Sequence, residues 1–119
     1  MPRKINTLTG TIQGKKVNIA ISTCNDKNYI NINLANQLLI SDANVGERTY
    51  IFGNEYEIND LQITVDNYEY IAQFCVVKMY DMEVYIFIGQ PWFRELDVFM
   101  LNIEKRNLMF FYKGKIITF

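Results

Sequence analysis

The sequence predicts an all-β domain, a barrel or a sandwich, with two short helices. The main observation is that apolar and polar residues alternate along many short stretches, with the period of a half-buried strand. A second observation is that turn-forming pairs such as Gln13-Gly14 and Lys113-Gly114 separate these stretches. Helical spacing, by contrast, is found in only two places. Short strands at close intervals with few helices are typical of barrels and sandwiches.

The predicted strands cover most of the chain. Residues 8–12 and 15–22 flank a turn at 13–14 and form a hairpin, and the pair 53–54 marks a second hairpin. Residues 84–88 are apolar without interruption, which is typical of a strand that is covered on both faces. The other predicted strands are 49–52, 55–58, 61–65, 68–77, 98–103, 107–112 and 116–119.

Two helices are predicted. Apolar residues recur at every fourth position from Ile30 to Leu38, so residues 32–39 are expected to form an amphipathic helix that Asn31 caps. The second helix is short, 91–96, and begins with a proline, which suits the first turn of a helix.

Composition and charge indicate one domain over residues 1–119. Half of the residues are hydrophobic and 21% are charged, which is a globular composition. The net charge of -1 gives no general attraction to nucleic acid or to an anionic membrane, so neither is expected as a partner. The sequence has no apolar stretch long enough to span a bilayer, and its N-terminus does not resemble a secretory signal.

The two cysteines and the absence of histidine limit the catalytic mechanisms and metal sites that the chain could have. Cys24 and Cys75 are too few for a disulfide framework and favour a reducing, cytoplasmic setting. They do not have metal-ligand spacing, so neither a metal nor a cofactor is expected. Because the chain has no histidine, Ser-His, Cys-His and histidine-ligated metal mechanisms are excluded within one chain.

Some conspicuous residues are expected to have structural roles. Trp92 and Phe93 are assigned to the core, because aromatic residues dominate the packing of small domains. Cys75 lies in an apolar strand and is expected to be a small buried side chain. The charged run 104–106 has mixed signs and is expected to be a solvated turn.

Several motifs follow one another in a particular order. Residues 10–17 form a hairpin, and residues 19–24 are mainly apolar and end in Ser-Thr-Cys. Residues 29–38 begin with Tyr-Ile-Asn and continue with Leu-Ala and Leu at helical spacing. Residues 87–96 contain two apolar residues, Gly and a Trp-bearing helix, and residues 102–118 form a closing hairpin. In this order the motifs resemble a retropepsin, particularly the protease domains of gypsy-type long-terminal-repeat retrotransposons.

The resemblance implies an acid-protease barrel that acts as a homodimer, in which each subunit contributes one catalytic Asp to a proton-sharing pair. Ser22 stands at the position of that Asp, and Cys24 stands at the position of a Gly in the family motif. Thr23 is retained, and in the family its hydroxyl helps to hold the two active-site loops together. Because a hydroxyl does not act as a base near neutral pH, this degenerate motif is expected to be proteolytically inactive.

Three interpretations of residues 22–24 remain open at this stage. In the first, they form a structural turn in a domain without peptidase activity. In the second, position 22 was originally Asp and has been replaced by Ser, which prevents self-cleavage. In the third, Ser22 or Cys24 is a nucleophile whose base is a lysine or a carboxylate, since the chain has no histidine.

A peptide groove is the other expectation that the resemblance carries. Asn25 and Asp26 follow the motif, where retroviral members have an Asp that binds the substrate backbone, so both are candidate substrate-binding residues. The alternative for Asp26 is a local hydrogen bond within the turn. The candidate flap over the groove, for which an ordinary surface hairpin is the alternative, consists of Ile51, Phe52, Gly53 and Asn54.

The main hypothesis from the sequence is a retroelement-derived pseudoprotease that dimerises and binds an extended peptide or a polyprotein segment. Dimerisation is also expected because Ile116, Ile117 and Phe119 would otherwise expose apolar strand edges. One alternative is an active retroelement aspartic endopeptidase for polyprotein processing, whose Asp at position 22 has been replaced. Another is a β-barrel interaction module unrelated to proteases.

Overall fold

In the computed structural model, the described residues are 7–40, 56–79, 84–96 and 98–119. The all-β prediction is confirmed, and no helix in these ranges is long and apolar enough to cross a membrane. The elements are β1 Thr7–Ile12, β2 Lys15–Ile21, β3 Tyr29–Asn31, α1 Ile32–Ala35, β4 Tyr56–Val65, β5 Tyr68–Val77, β6 Ile86–Ile88, α2 Gln90–Leu96, β7 Phe99–Asn102, β8 Asn107–Tyr112 and β9 Lys115–Thr118. The strands form a closed barrel of order β1-β2-β6-β3-β5-β4 and a separate sheet of order β7-β8-β9.

The first hairpin has the predicted turn. Gln13 and Gly14 have φ values of 49° and 79°, the left-handed conformation that a two-residue turn between right-twisted strands requires. The turn sets the register of β1 against β2, in which Ile12 lies opposite Lys15. Ile12 is buried, whereas Lys15, which directly follows the turn, is exposed. The predicted strand 49–52 lies outside the described residues.

Strand β6 runs between β2 and β3, the two strands that flank the loop 22–28 (the site loop). It is parallel to β2, with Ile21 opposite Ile88, and antiparallel to β3, with Tyr29 opposite Phe87. Because both edges of β6 are paired and two of its three residues are buried, its uninterrupted apolar sequence is explained. This pairing brings the end of β2 and the start of β3 together beside the end of β6.

The predicted helix over 32–39 is too long, and the strand before it was not predicted. Helix α1 ends at Ala35, and beyond it two successive hydrogen bonds join residues three apart, which tightens the chain into turns. Asn31 caps α1 as predicted, because its side chain accepts a hydrogen bond from the N–H of Asn33 at 3.0 Å. Strand β3 was not predicted, because three residues are too few to show an alternation of apolar and polar side chains. Helix α2 agrees with the predicted 91–96, with one additional residue at its start.

An aromatic core joins the barrel to the sheet β7-β8-β9. Trp92 of α2 is fully buried, as predicted, and its Nε1 donates a hydrogen bond to the hydroxyl of Tyr68 at 2.8 Å. Phe110 meets the Trp92 ring edge-on at 5.3 Å, and Phe119 stacks against it at 5.9 Å. Burial raises the pKa of the Tyr68 hydroxyl, which keeps this pair of polar groups neutral inside the core.

The predicted exposure of the last strand is only partly correct. Ile116 is 63% exposed, but Ile117 and Phe119 pack against the hydrophobic core. The backbone of Phe119 exchanges two hydrogen bonds with that of Leu108, at 2.8 and 3.0 Å. This pairing holds Phe119 against Trp92, whereas Ile116 of β9 is exposed to solvent.

The other structural assignments have mixed outcomes. Phe93 is half-buried and contacts Phe99, with 5.2 Å between the ring centroids. Cys75 was predicted to be buried but is only partly buried, because its side chain lies on the less covered face of β5. Its Sγ is 4.0 Å from a carboxylate oxygen of Glu57. The charged turn 104–106 is exposed, as predicted.

Candidate active site

The loop 22–28 joins β2 to β3 and lies against the turn between β6 and α2. The N–H of Ser22 donates to the carbonyl of Ile88 at 3.0 Å, which extends the pairing of β2 with β6 by one residue. The N–H of Gln90 donates to the carbonyl of Asn25 at 2.8 Å. Two backbone hydrogen bonds therefore fix both ends of the segment in which the sequence places the catalytic position.

Ser22 uses its hydroxyl oxygen within its own turn. The oxygen accepts a hydrogen bond from the N–H of Cys24 at 3.2 Å, and the carbonyl of Ser22 accepts one from the N–H of Asn25 at 3.4 Å. Such a hydrogen bond from residue i+2 to a Ser side chain stabilises a local turn. The arrangement agrees with the structural-turn interpretation of residues 22–24.

Thr23 and Cys24 form the exposed tip of the turn. The carbonyl of Thr23 accepts a hydrogen bond from Nε2 of Gln90 at 3.1 Å, and Oε1 of Gln90 accepts one from Arg94 at 3.2 Å. The backbone at Cys24 does not adopt a positive φ, so the turn accommodates a side chain where the family motif has Gly. Within the described residues, no cluster of His, Cys, Asp or Glu side chains has the geometry to hold a metal ion.

Asp26 supplies the one carboxylate of the loop 22–28. Its Oδ1 accepts a hydrogen bond from the hydroxyl of Tyr29 at 3.0 Å, and the side chain is exposed. This contact supports a local role for Asp26. The predicted local hydrogen bond was to a backbone group, whereas the observed one joins two side chains. The candidate flap, residues 51–54, lies outside the described residues, so its position relative to the loop stays a prediction.

Sequence reasoning missed Asn28, which is the main polar contact beneath the loop. Its side chain is 2% exposed. Its Oδ1 accepts a hydrogen bond from the N–H of Gly89 at 2.9 Å, and its Nδ2 donates to the hydroxyl of Tyr70 at 3.0 Å. Its backbone carbonyl accepts a hydrogen bond from the N–H of Cys75 at 2.9 Å. One buried residue thus connects the site loop to β5 and to the turn after β6.

Tyr70 is the buried partner of Asn28 in β5. Burial raises the pKa of Tyr70 to about 12, although the hydrogen bond from Asn28 acts in the opposite direction. The phenol therefore remains neutral throughout the ordinary pH range. No short-range pattern reveals this pair in the sequence, because the two residues are 42 positions apart.

Gly89 permits the close approach of the loop to the turn after β6. A Cβ at this position would lie 2.5 Å from the carbonyl oxygens of both Asn25 and Lys27. We expect Gly89→Ala to lower the free energy of unfolding by about 1–3 kcal/mol, because two backbone segments would have to move. Chemical denaturation measures this loss. Ala20→Gly is a comparison that removes a buried methyl group in β2 without a clash, and an effect of Gly89→Ala below about 0.5 kcal/mol would contradict the expectation.

Two solved structures have folds similar to that of this chain. The retroviral protease-like domain of Ddi1 from Leishmania major matches with a TM-score of 0.66 at 14% sequence identity, over 92% of this chain and 90% of that chain. A retropepsin-like aspartic protease from Rickettsia conorii matches with a TM-score of 0.56 at 10% identity, over 81% and 75% of the respective chains. No protein-family model and no curated protein matches the sequence.

The chain therefore has the fold of retropepsin-like aspartic protease domains. At such low identity the similarity concerns the fold and not the chemistry. The assignment of Ser22, Thr23 and Cys24 to the catalytic position continues to rest on the motif order in the sequence.

Proposed function

We propose that the chain is a retropepsin-like domain that acts as a dimer, binds an extended peptide and lacks proteolytic activity. The observation that carries the proposal is Ser22 itself. It follows β2 directly beside the end of β6, and its hydroxyl oxygen accepts a hydrogen bond from its own turn. A side chain engaged in this way stabilises the loop and contributes no charge to the site.

The missing carboxylate accounts for the lack of activity. Aspartic proteases need two carboxyl groups that share one proton, so that one activates water while the other polarises the peptide carbonyl. Two copies of Ser22 do not form such a pair, since an alcohol is not ionised near neutral pH. Asp26 does not replace the lost group in this proposal, because its carboxylate accepts the hydrogen bond from Tyr29.

The architecture of the fold supports the proposal of dimerisation and peptide binding. One barrel supplies one site loop and therefore half of a groove. In the proposed dimer, Asn25 and Asp26 line the groove floor and residues 51–54 form the flap. An extended peptide would add as a strand between floor and flap, with main-chain hydrogen bonds supplying much of the affinity.

The origin and location are also proposals. The motif order supports descent from a gypsy-type retrotransposon protease. The sequence has only two cysteines, Cys24 and Cys75, which supports a reducing cytoplasmic setting. The composition and charge of the sequence favour neither nucleic acid nor membrane as a partner.

An aspartic endopeptidase whose Asp at position 22 has been replaced by Ser is the second candidate. The observation that favours it is that backbone contacts hold the loop 22–28 in position. The hydrogen bonds from Ser22 to Ile88 and from Gln90 to Asn25 are in place, and Gly89 permits the close approach of the two segments. A carboxylate at position 22 would therefore enter a loop that is already held in position.

Proteolysis assays on matched variants test the lack of activity. The unaltered chain, Ser22→Asp/Cys24→Gly and Ser22→Asn/Cys24→Gly are incubated with denatured protein at mildly acid pH, with and without pepstatin. We expect no cleavage by the unaltered chain or the Asn variant. If the scaffold is intact, the Asp variant cleaves at least about 100-fold faster than the Asn variant, the usual scale of general acid–base catalysis. Pepstatin-blocked cleavage by the unaltered chain would refute the proposal, and an inactive Asp variant would count against the second candidate.

A further inference from the structure

A cavity of about 560 Å³ lies beside β4, where the first hairpin ends. Strands β1 and β4 pair at one position, Thr11 with Thr64. Two residues further along this antiparallel register, Gln13 would lie opposite Gln62. Gln13 has a φ of 49° and belongs to the turn, so the hairpin leaves β4 before that pair forms. The resulting gap has a size within the usual range of small-ligand sites, roughly 300–1,000 Å³.

The lining of the cavity combines polar side chains, apolar side chains and a single charge. Its polar and apolar residues include Thr11, Gln62, Thr64, Leu39, Ile40 and Leu61. Asp60 is the one lining residue with a charged side chain, and no lining residue is aromatic or basic. An anion would therefore meet a like charge, and a flat ring would find no aromatic side chain to stack on. A purely apolar ligand would leave the hydroxyl and amide groups without hydrogen bonds.

Side-chain hydrogen bonds hold two sides of the cavity in place. On one side, Nε2 of Gln13 donates to the carbonyl of Leu39 at 2.9 Å, and the N–H of Leu39 donates to Oε1 of Gln13 at 2.8 Å. Leu39 is thereby fixed at the cavity although its side chain is 90% exposed. On the β4 side, Oδ1 of Asn59 accepts a hydrogen bond from Nε2 of Gln73 at 2.9 Å. A site that is formed in advance avoids part of the ordering entropy that binding costs.

A β-bulge in β4 places Asp60 at the cavity. The register against β5 shifts between Ile58 and Leu61, so two residues of β4, Asn59 and Asp60, face one residue of β5. Asp60 has a φ of 54°, the left-handed conformation that Asp and Asn adopt more readily than most residues. Bulges redirect side chains and are common beside functional sites. Here the bulge contains the one acidic residue of the lining.

We infer that the cavity binds a primary ammonium group at the end of an aliphatic chain. An ammonium donates hydrogen bonds and accepts none. The carboxylate of Asp60 supplies the opposite charge, and the hydroxyl oxygens of Thr11 and Thr64 are further acceptors on the same lining. The apolar side chains of Leu39 and Leu61 suit the aliphatic chain.

A metal ion is a poorer match for the same carboxylate. Among the residues that the structure describes, no group of His, Cys, Asp or Glu side chains could hold one. The ammonium could come from two sources, a free alkylamine or the side chain of a lysine in a peptide, and both present the same group to Asp60. The inference does not depend on the proposed function, since none of the lining residues belongs to the site loop.

Amide NMR titrations of the chain with butylamine and with butanol test the inference. The two probes have the same aliphatic chain, but butanol carries no charge. We expect butylamine to shift the amide signals of residues 11–14 and 59–62, which border the cavity, with a Kd of about 1–10 mM. Butanol should bind about 3–5-fold more weakly, because an exposed charge pair contributes up to about 5-fold in affinity. Added salt should weaken the binding of butylamine but not that of butanol.

Two variants separate the role of Asp60 from that of general surface charge. Asp60→Asn removes the charge and keeps a residue that tolerates the left-handed conformation, so the fold should be retained while the Kd for butylamine rises about 3–5-fold. Asp66→Asn is the matched control, because Asp66 is also exposed and left-handed, with a φ of 52°, but does not line the cavity. Its Kd should change by less than about 1.5-fold. Unchanged binding by Asp60→Asn, or an equal loss in Asp66→Asn, would overturn the inference.

A capped tripeptide with a central lysine, tested beside its Nε-acetylated form, identifies the source of the ammonium. If the lysine peptide shifts the same signals and the acetylated peptide does not, the cavity accepts a lysine side chain. If butylamine alone shifts them, the cavity accepts a free amine. If neither amine shifts the signals that border the cavity, or if butanol binds as tightly as butylamine, the inference is wrong.

Discussion

Trp92→Ala is expected to lower the free energy of unfolding by about 3–5 kcal/mol, the usual cost of removing a fully buried large aromatic side chain. Trp92 is 0% exposed and contacts Phe110 of β8 and Phe119, which directly follows β9. Its loss also leaves the buried hydroxyl of Tyr68 without the indole N–H. Domains of this size are stable by only about 5–15 kcal/mol, so the substitution should remove a large part of the stability.

Denaturant unfolding of two graded variants checks this expectation. Trp92→Phe retains most of the apolar contact but has no N–H for Tyr68, so its loss should be clearly smaller than that of Trp92→Ala. Phe93→Ala alters the half-buried neighbour and should cost less than half as much. A loss below about 1 kcal/mol for Trp92→Ala would show that this residue does not join the barrel to the sheet.

Asn28→Ala is expected to lower the free energy of unfolding by about 2–5 kcal/mol. The substitution leaves two buried groups without their partners, the N–H of Gly89 and the hydroxyl of Tyr70. Each unpaired buried group costs about 1–3 kcal/mol, because it has lost water without gaining a hydrogen bond. The effect should be concentrated at the site loop, since Asn28 connects that loop to β5 and to the turn after β6.

Asn33→Ala is the matched control for this prediction. Asn33 is exposed on α1, so its replacement should change the stability by less than about 0.5 kcal/mol. Amide hydrogen exchange gives the second measurement. Protection should be lost at Gly89 in the Asn28 variant, because the N–H of Gly89 donates to the Asn28 side chain. Equal stabilities of the Asn28 and Asn33 variants would mean that water replaces the amide without cost.

The elements that could be predicted are those whose signal lies within a few adjacent residues. The turn at Gln13-Gly14 is visible because it needs a left-handed backbone between two alternating strands. The helix from Gln90 to Leu96 could be predicted because its proline suits the first turn of a helix. The barrel could be expected because several such motifs occur in the order of a known family.

The candidate site was predicted less completely. Ser22, Thr23, Cys24 and Asn25 form one turn beside β6, and their assignment to the catalytic position stays a prediction. Its main polar support, Asn28, was missed because its hydrogen bonds reach 42 and 61 residues along the chain. An Asn in a polar loop is usually solvated, and only the surrounding strands make this one a buried contact.

The sequence by itself determined the strand and turn pattern, the buried role of Trp92 and the absence of an acidic group at position 22. These properties depend on residue identity and short spacing, which are local. Only the tertiary structure decided that β6 lies between β2 and β3, that Asn28 is buried and that Ile117 and Phe119 face inward while Ile116 does not. Such properties depend on which distant segments pair and in what register, and a shift of one residue exchanges the two faces of a strand.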